Sequence, residues 1–236
     1  MRGDTWHRRS ERWSRLREVV IFGAGEFASL VRFHLTTEGE HSVVAFTVDR
    51  DYVDREGFEG LPLVAFERLD EMFPPDRVEV FVALGYRKVN RPRADAYARV
   101  AQRGYRCLTF VSPHAIVAAN VELGENCFVF ESAVLQPGVR LGSDTIVRTG
   151  AVVGHDCQIG DHCFIAPRAS ISGNVVIGEF AFVGNNATIR DGVTIAPHTV
   201  VGAGSLIKAD TRAGEVYAQP ATSPLPGLHS SDLDDL

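Results

Sequence analysis

The chain has 236 residues, 45% of them hydrophobic, and its 24 Lys and Arg against 30 Asp and Glu leave a formal net charge of −6. That hydrophobic share is ordinary for a soluble globular protein, and the negative balance argues against general nucleic-acid binding. No apolar run approaches the roughly 20 residues that a membrane span needs. The Arg-rich start (Arg2, Arg8, Arg9, Arg12, Arg15, Arg17) reads as a charged tail over residues 1–17. The apolar stretch after it, Val19-Val20-Ile21-Phe22 and then glycine, is too short for the core of a signal peptide.

Glu18 to Phe22 predicts a strand, Gly23-Ala24-Gly25-Glu26-Phe27-Ala28 a turn, and Ser29 to Thr36 a helix. Ala28 takes the third glycine place of G-x-G-x-x-G/A, an arrangement in which N–H groups at the helix start can face a phosphate. The same glycines also serve a plain tight strand-to-helix turn. A second strand, Ser42 to Val48, ends at Asp49-Arg50, about where an acidic residue meets a ribose. Only about 95 residues precede the repeat described below, enough for one βαβαβ half and not for two. A small Rossmann-like domain over 18–112 holding a mononucleotide, or a sugar attached to one, fits that length better than a dinucleotide.

Leu63 to Phe66 predicts a short strand, Glu67 to Met72 a short helix that Pro74-Pro75 ends, and Glu79 to Leu84 a buried strand. Gly85-Tyr86-Arg87-Lys88-Val89-Asn90-Arg91 follows at a strand's carboxyl end, where open α/β sheets bind ligands. Glycine, cations and an amide there suit a nucleotide-sugar phosphate, and a solvated helix start would look much the same. Pro92 to Arg103 reads as a helix and Arg106 to Val111 as a last strand.

From Ala115 to Asp210 the chain repeats with a period of six. Val117, Leu123, Val129, Leu135, Leu141, Val147, Val153, Ile159, Ile165, Ile171, Ile177, Val183, Ile189, Ile195, Val201 and Ile207 are aliphatic without a missed step. Two residues before each stands a small or β-branched residue, among them Cys127, Cys157 and Cys163. At the sixth place of the sixteen units, eleven residues are Gly, Asn or Asp, the types that enter left-handed backbone at little cost. A helix needs apolar residues every three or four positions and a flat sheet every second, so the period predicts a parallel β-helix over 113–210. The three cysteines then read as buried thiols in a reducing cytoplasm. Residues 211–236 form a C-terminal segment and an acidic tail.

The repeat resembles the left-handed β-helix of the hexapeptide acyltransferases, in which three units make one triangular coil. No insertion interrupts it, unlike members of that group that extrude a long loop. A GxG-bearing α/β domain followed by Gly154-His155-Asp156-Cys157-Gln158-Ile159-Gly160-Asp161 is similar to the sialic-acid O-acetyltransferase family. Its best understood relatives are bacterial N-acetyltransferases of nucleotide-linked amino sugars, and the similarity runs from Val19 to about Ala221. Thr47-Val48-Asp49, Gly60-Leu61-Pro62 and Ala83-Leu84-Gly85-Tyr86 further resemble the subset that acylates dTDP-linked 3-amino sugars. Tyr217-Ala218-Gln219-Pro220-Ala221 resembles the family's C-terminal G-x-P-A segment, with Ala218 in place of the glycine.

The resemblance makes acetyl-CoA or a related acyl-CoA the co-substrate and a UDP-, GDP- or dTDP-linked amino sugar the acceptor, for surface polysaccharide or glycoconjugate synthesis. It makes His155 the general base, Asp156 the acid that raises its basicity, and the transfer direct. Asp156 also occupies a turn position where Asp is common. Residues eighteen apart stack roughly 4.8 Å apart on successive coils, so Gly173 lies one rung above His155 and is a candidate oxyanion donor through its N–H. The resemblance adds Asn185 and Ala203 along an acyl-CoA groove, and Phe164 where the family often has a second histidine. It further implies a homotrimer, with His155 of one chain facing coenzyme A held partly by the next. On the first domain the nucleotide-sugar candidates are Gly23, Ala24, Gly25, Glu26, Asp49, Arg50, Gly85, Tyr86, Arg87 and Asn90.

Two alternatives stand beside N-acylation: a sugar O-acetyltransferase, and a metal-dependent hydratase on the same scaffold. His162 and His198 lie two rungs apart, roughly 9.6 Å, too far to share one ion at ligand distances near 2 Å, and no metal is expected.

Overall fold

The computed structural model describes residues 17–38, 41–220, 222–223 and 226. The arginines from Arg2 to Arg15 and the acidic C-terminal tail lie outside the described residues. Glu18–Phe22 (β1), Ser42–Val48 (β2), Gly57–Phe58 (β3), Leu61–Ala65 (β4) and Glu79–Val82 (β5) form one sheet in the order β3-β4-β2-β1-β5. All neighbours are parallel except the β3–β4 hairpin. That hairpin turns on Glu59-Gly60 with φ of 49° and 77°, the left-handed pair that a tight two-residue turn requires. The helices are Glu26–Thr37 (α1), Leu69–Met72 (α2) and Arg91–Gln102 (α3).

β1 and β2 stand where the sequence puts them. α1 starts three residues before the expected Ser29, directly from an extended Gly25 that no side chain caps. Arg106 to Val111 does not make a whole strand: only Phe110–Val111 is extended, and it pairs with Phe128–Val129 of the second domain rather than with β5. Cys107 makes a single bridge to Val80.

The second domain is a three-sided prism of two-residue strands, each ending on an aliphatic residue of the six-residue period except the last, which ends on Tyr217. Face one stacks the strands at 116–117, 134–135, 152–153, 170–171, 188–189 and 206–207. Face two stacks those at 122–123, 140–141, 158–159, 176–177 and 194–195. Face three runs from 110–111 through 128–129, 146–147, 164–165, 182–183 and 200–201 to Val216–Tyr217. Every register step is eighteen residues, except the last on face three, where Val200 pairs with Val216.

The corners explain the sixth place. All fourteen residues at six-residue intervals from Asn126 to Gly204 have φ between 54° and 80°. Ser132, His162, Arg168, Phe180 and His198 are forced into this left-handed backbone as fully as the glycines are, so the coil imposes the conformation whatever the residue type. Inside, aliphatic residues stack on aliphatic residues, each buried Val, Leu or Ile contributing about 1.5–3 kcal/mol. Cys127, Cys157 and Cys163 donate from Sγ to the carbonyls of Gly142, Ser172 and Gly178 at 3.1, 3.0 and 3.2 Å, as Thr145 Oγ1 does to Gly160. Burial pushes the thiols of Cys127 and Cys163 up to about 12, so these cysteines tie corners and are not nucleophiles.

The outward residues of face three include Phe110, Phe128, Ile146, Phe164 and Phe182, a mainly aromatic ladder where face two carries mainly polar side chains and face one small aliphatic and hydroxyl residues over much of its length. The α/β sheet docks on this ladder, with Phe81 in edge contact with Phe128 at 5.2 Å, and one buried cluster joins Val19, Ile21, Leu35 and Phe46 to it. A polar latch fastens α3. Arg93, fully buried, donates to Asp144 Oδ1 at 3.0 Å and to the Asp144 and Cys163 carbonyls at 2.9 and 3.1 Å.

Candidate active site

His155 follows Val153 around the edge between faces one and two. Its side chain is half exposed, because the inward place belongs to Val153. Nδ1 stands 3.1 Å from Asp156 Oδ2. The backbone holds both residues on the stack: Gln136 accepts the His155 N–H at 2.9 Å, Pro137 accepts the Asp156 N–H at 2.9 Å, and His155 accepts the Asn174 N–H at 2.8 Å. With Nδ1–H donating to the carboxylate, Nε2 keeps its lone pair as a proton acceptor and lies on the side of Gly173.

Two glycines make room for this pair. A β-carbon on Gly173 would stand 2.6 Å from Cε1 and 2.9 Å from Cδ2 of His155, inside the space of the ring. A β-carbon on Gly138 would overlap Asp156 Oδ1 in the same way. The Gly173 N–H has no acceptor among the described residues, while its carbonyl accepts from Gly192 at 3.0 Å. A base and an unpartnered N–H therefore lie one rung apart, the arrangement that acyl transfer uses for its proton and its oxyanion.

Asn185 and Ala203 stack on each other along the edge between faces three and one, with a β-carbon on Gly184 placed 2.6 Å from the Ala203 nitrogen. Face one separates that edge from His155 by about six residues, roughly 20 Å of extended chain. One chain does not bring the two together. Phe164 belongs to neither edge: it is 3% exposed on face three, with Tyr86 over it at 5.1 Å and Phe182 beside it at 5.8 Å.

In the first domain the GxG turn and the Gly85–Asn90 loop lie side by side at the ends of neighbouring β1 and β5. A β-carbon on Gly23 would meet the Ala83 carbonyl at 2.8 Å. The strand order reverses here, at the crevice where such sheets hold ligands. Lys88, Val89 and Asn90 make three consecutive left-handed residues, an arrangement a β-branched valine adopts only under constraint. The constraint is Asn90, buried, whose Nδ2 donates to the Ala181 carbonyl of the prism at 3.3 Å. Asp49 is gripped bidentately by Arg99 at 2.5 and 3.1 Å, a partner fifty residues away that the sequence does not announce. The Arg50 N–H points to the Glu67 carboxylate. Glu26 is exposed in the first turn of α1, where its negative charge already answers the helix dipole.

His162 and His198 flank the ring of Phe180, at 4.7 and 4.9 Å between centres, so an aromatic ring occupies the rung between them. Among the described residues no group of three or more His, Cys, Asp or Glu could hold a metal ion, and no helix is long and apolar enough to cross a membrane.

A prism of hexapeptide coils with a histidine–carboxylate pair on an outer edge and a small α/β domain docked on one face defines a hexapeptide-repeat acyltransferase. Residues 138–173 and 174–209 match the family model "Bacterial transferase hexapeptide (six repeats)", and 120–155 match "Hexapeptide repeat of succinyl-transferase". PerB from Caulobacter crescentus, solved with CoA and GDP-perosamine, is 30% identical over 86% of this chain and 93% of its own, with a TM-score of 0.74. The acetyltransferase domain of PglB from Neisseria gonorrhoeae FA1090 is 29% identical over 85% of this chain and 95% of its own, with a TM-score of 0.77. WeeI from Acinetobacter baumannii AYE shares the fold at 24% identity, over 87% of this chain and 99% of its own, with a TM-score of 0.73. The curated protein sequences gave no match. The chain belongs to the hexapeptide-repeat sugar acyltransferases, and its prism is a left-handed parallel β-helix.

Proposed function

We propose that the protein transfers the acetyl group of acetyl-CoA to the amino group of a nucleotide-linked amino sugar. The observation that carries this reading is the His155–Asp156 pair, at 3.1 Å, lying over Gly173. The likeness to PerB, solved with CoA and GDP-perosamine, supports the co-substrate and the acceptor class. The amine attacks the thioester carbonyl, His155 Nε2 takes the amine proton, and the Gly173 N–H faces the oxyanion. The intermediate then expels the coenzyme A thiolate, which leaves as the thiol with a proton returned from the imidazolium. Asp156 holds the ring with Nδ1–H inward throughout.

The acyl-CoA groove is shared between copies. Asn185 and Ala203 lie a whole face away from His155 on their own chain, so a neighbouring prism has to present them. Ile116 and Leu206 on face one and Val176 on face two are apolar and 43–67% exposed, surface that packing of prisms side by side would cover. A homotrimer closes three such seams with one contact type. The nucleotide lies in the crevice between the GxG turn and the Gly85–Asn90 loop, and the buried Phe164 acts by seating Tyr86 there.

The test is turnover of acetyl-CoA with UDP-, GDP- and dTDP-linked amino sugars and with the same sugars bearing hydroxyl in place of the amine, alongside sedimentation of the protein. Acetylation of an amine by a trimer is the expected result. Acetylation of hydroxyl acceptors alone would make the enzyme an O-acetyltransferase, and an active monomer would contradict the shared groove.

A further inference from the structure

Arg148 is a cation with no part in the proposed acyl-transfer step. It follows Val147 on face three, and its guanidinium lies 4.4 Å from the Phe130 ring centre and 5.4 Å from that of Phe27. Phe27 stands in the first turn of α1, so this prism residue reaches the point where the GxG turn becomes helix. Burial lowers the Arg148 pKa, against the opposing influence of Glu131 and of Tyr86 from the neighbouring loop.

Among the described residues the guanidinium has no acceptor. Its Nε is buried without a hydrogen bond, and no described residue accepts from its other nitrogens. Glu131 makes no hydrogen bond to it: Oε1 accepts from Thr149 Oγ1 at 2.7 Å, and Oε2, buried without a hydrogen bond among the described residues, lies 3.5 Å from His34 Nε2. A half-buried, unpaired guanidinium is costly, and placing it beside the positive end of a helix adds to the cost. A second cation compounds this: Arg55 Nη2 donates to the Ala24 carbonyl at 3.2 Å on the same turn. Two guanidiniums thus stand by the uncapped start of α1, and stacking on Phe130 holds the planar donor fork of Arg148 in place.

We propose that Arg148 is a substrate-binding residue that reaches from the prism into the crevice of the α/β domain and binds an anionic group of the acceptor, either its diphosphate or a carboxylate on its sugar. This rests on the acceptor reading above. It makes the acceptor a bridge between the two domains, gripped on one side by the GxG turn and on the other by the scaffold that carries the acyl-transfer edge.

The experiment compares wild type with Arg148→Met, which keeps the stacking volume, and Arg148→Lys, which keeps the charge without the fork. UDP, GDP and dTDP are titrated by calorimetry, CoA release is followed with neutral and uronate-type amino-sugar nucleotides, and thermal unfolding is recorded without ligand. If the diphosphate is the source, Arg148→Met weakens the best-bound nucleoside diphosphate by about tenfold or more, and Arg148→Lys recovers part of the loss. If a sugar carboxylate is the source, diphosphate binding is unchanged and only KM for the uronate acceptor rises. In both cases the unliganded Arg148→Met protein melts at the wild-type temperature or above, because an unsatisfied charge has been removed. Unchanged binding and KM in Arg148→Met overturns the proposal, as does a fall in melting temperature that accounts for the loss. Arg148-dependent diphosphate binding without acetylation of any amino sugar would remove the proposed reaction and leave this inference standing. A wild type that binds none of the diphosphates and turns over no anionic acceptor would remove both.

Discussion

Gly173 lies directly against the imidazole of His155, so close that any β-carbon there would enter the ring. Its backbone is outside the left-handed region, and alanine is free to adopt it. Gly173→Ala therefore leaves the coil intact and pushes the base off its position. We expect kcat to fall by roughly 10²-fold with the melting temperature little changed, measured by CoA release and thermal unfolding. Wild-type turnover in this variant would show that the ring does not need its seat.

Asp156 combines two duties that asparagine separates. Its φ of 57° is a conformation asparagine accepts, so Asp156→Asn keeps the corner. The amide can turn its NH2 toward Nδ1, which places the ring proton on Nε2 and removes the acceptor. Turnover should drop about tenfold or more with no change in unfolding temperature. A variant as active as wild type would reduce Asp156 to a turn residue.

The Arg93–Asp144 pair is wholly buried, and Asp144 also accepts from Asn126 Nδ2 at 2.7 Å and stands 2.9 Å from His162 Nδ1. Asp144→Asn keeps the left-handed corner and strands the guanidinium in the interior. Denaturant unfolding should show a loss of about 3–5 kcal/mol. Pairing it with Arg93→Met should restore most of that, since the cost lies in the uncompensated charge.

His41 is buried beside Phe110, and neither ring nitrogen has a hydrogen-bond partner among the described residues. Burial, and then the charge of Arg17, lower its pKa below 6.5. The folded state thus binds this proton less readily than the unfolded chain does. Stability from this group is complete above about pH 6.5 and declines as the pH falls toward the folded-state value. His41→Phe should flatten the dependence of unfolding free energy on pH below about 6.5, and an unchanged slope would assign it to other groups.

The prism was legible because its signal is local and repeated: one aliphatic every six residues places each strand, and the sixth place marks each corner. The docking ladder was harder to see, since Phe110, Phe128, Ile146, Phe164 and Phe182 stand out only when the chain is read at the eighteen-residue coil period. In those same slots face two carries Glu122, Arg140 and Gln158, and face one carries no aromatic residue. The His155–Asp156–Gly173 constellation followed from rung arithmetic and a resembling motif. Asp49 and Arg148 did not follow: the arginine that occupies Asp49 comes from α3 of the same domain, fifty residues along the chain, and the surroundings of Arg148 are set by how the two domains pack. The same packing explains why Arg106 to Val111 is no strand of the first sheet: Phe110 and Val111 gain more by capping the prism's third face.

The central claim is that His155 takes the proton from an acyl acceptor. The most direct test is the rate of CoA release from acetyl-CoA at saturating amino-sugar nucleotide, comparing His155→Ala with wild type. The account predicts a loss of roughly 10²-fold or more in kcat, with acceptor binding retained because the nucleotide crevice is untouched. Undiminished turnover in the variant would contradict it and place the base elsewhere.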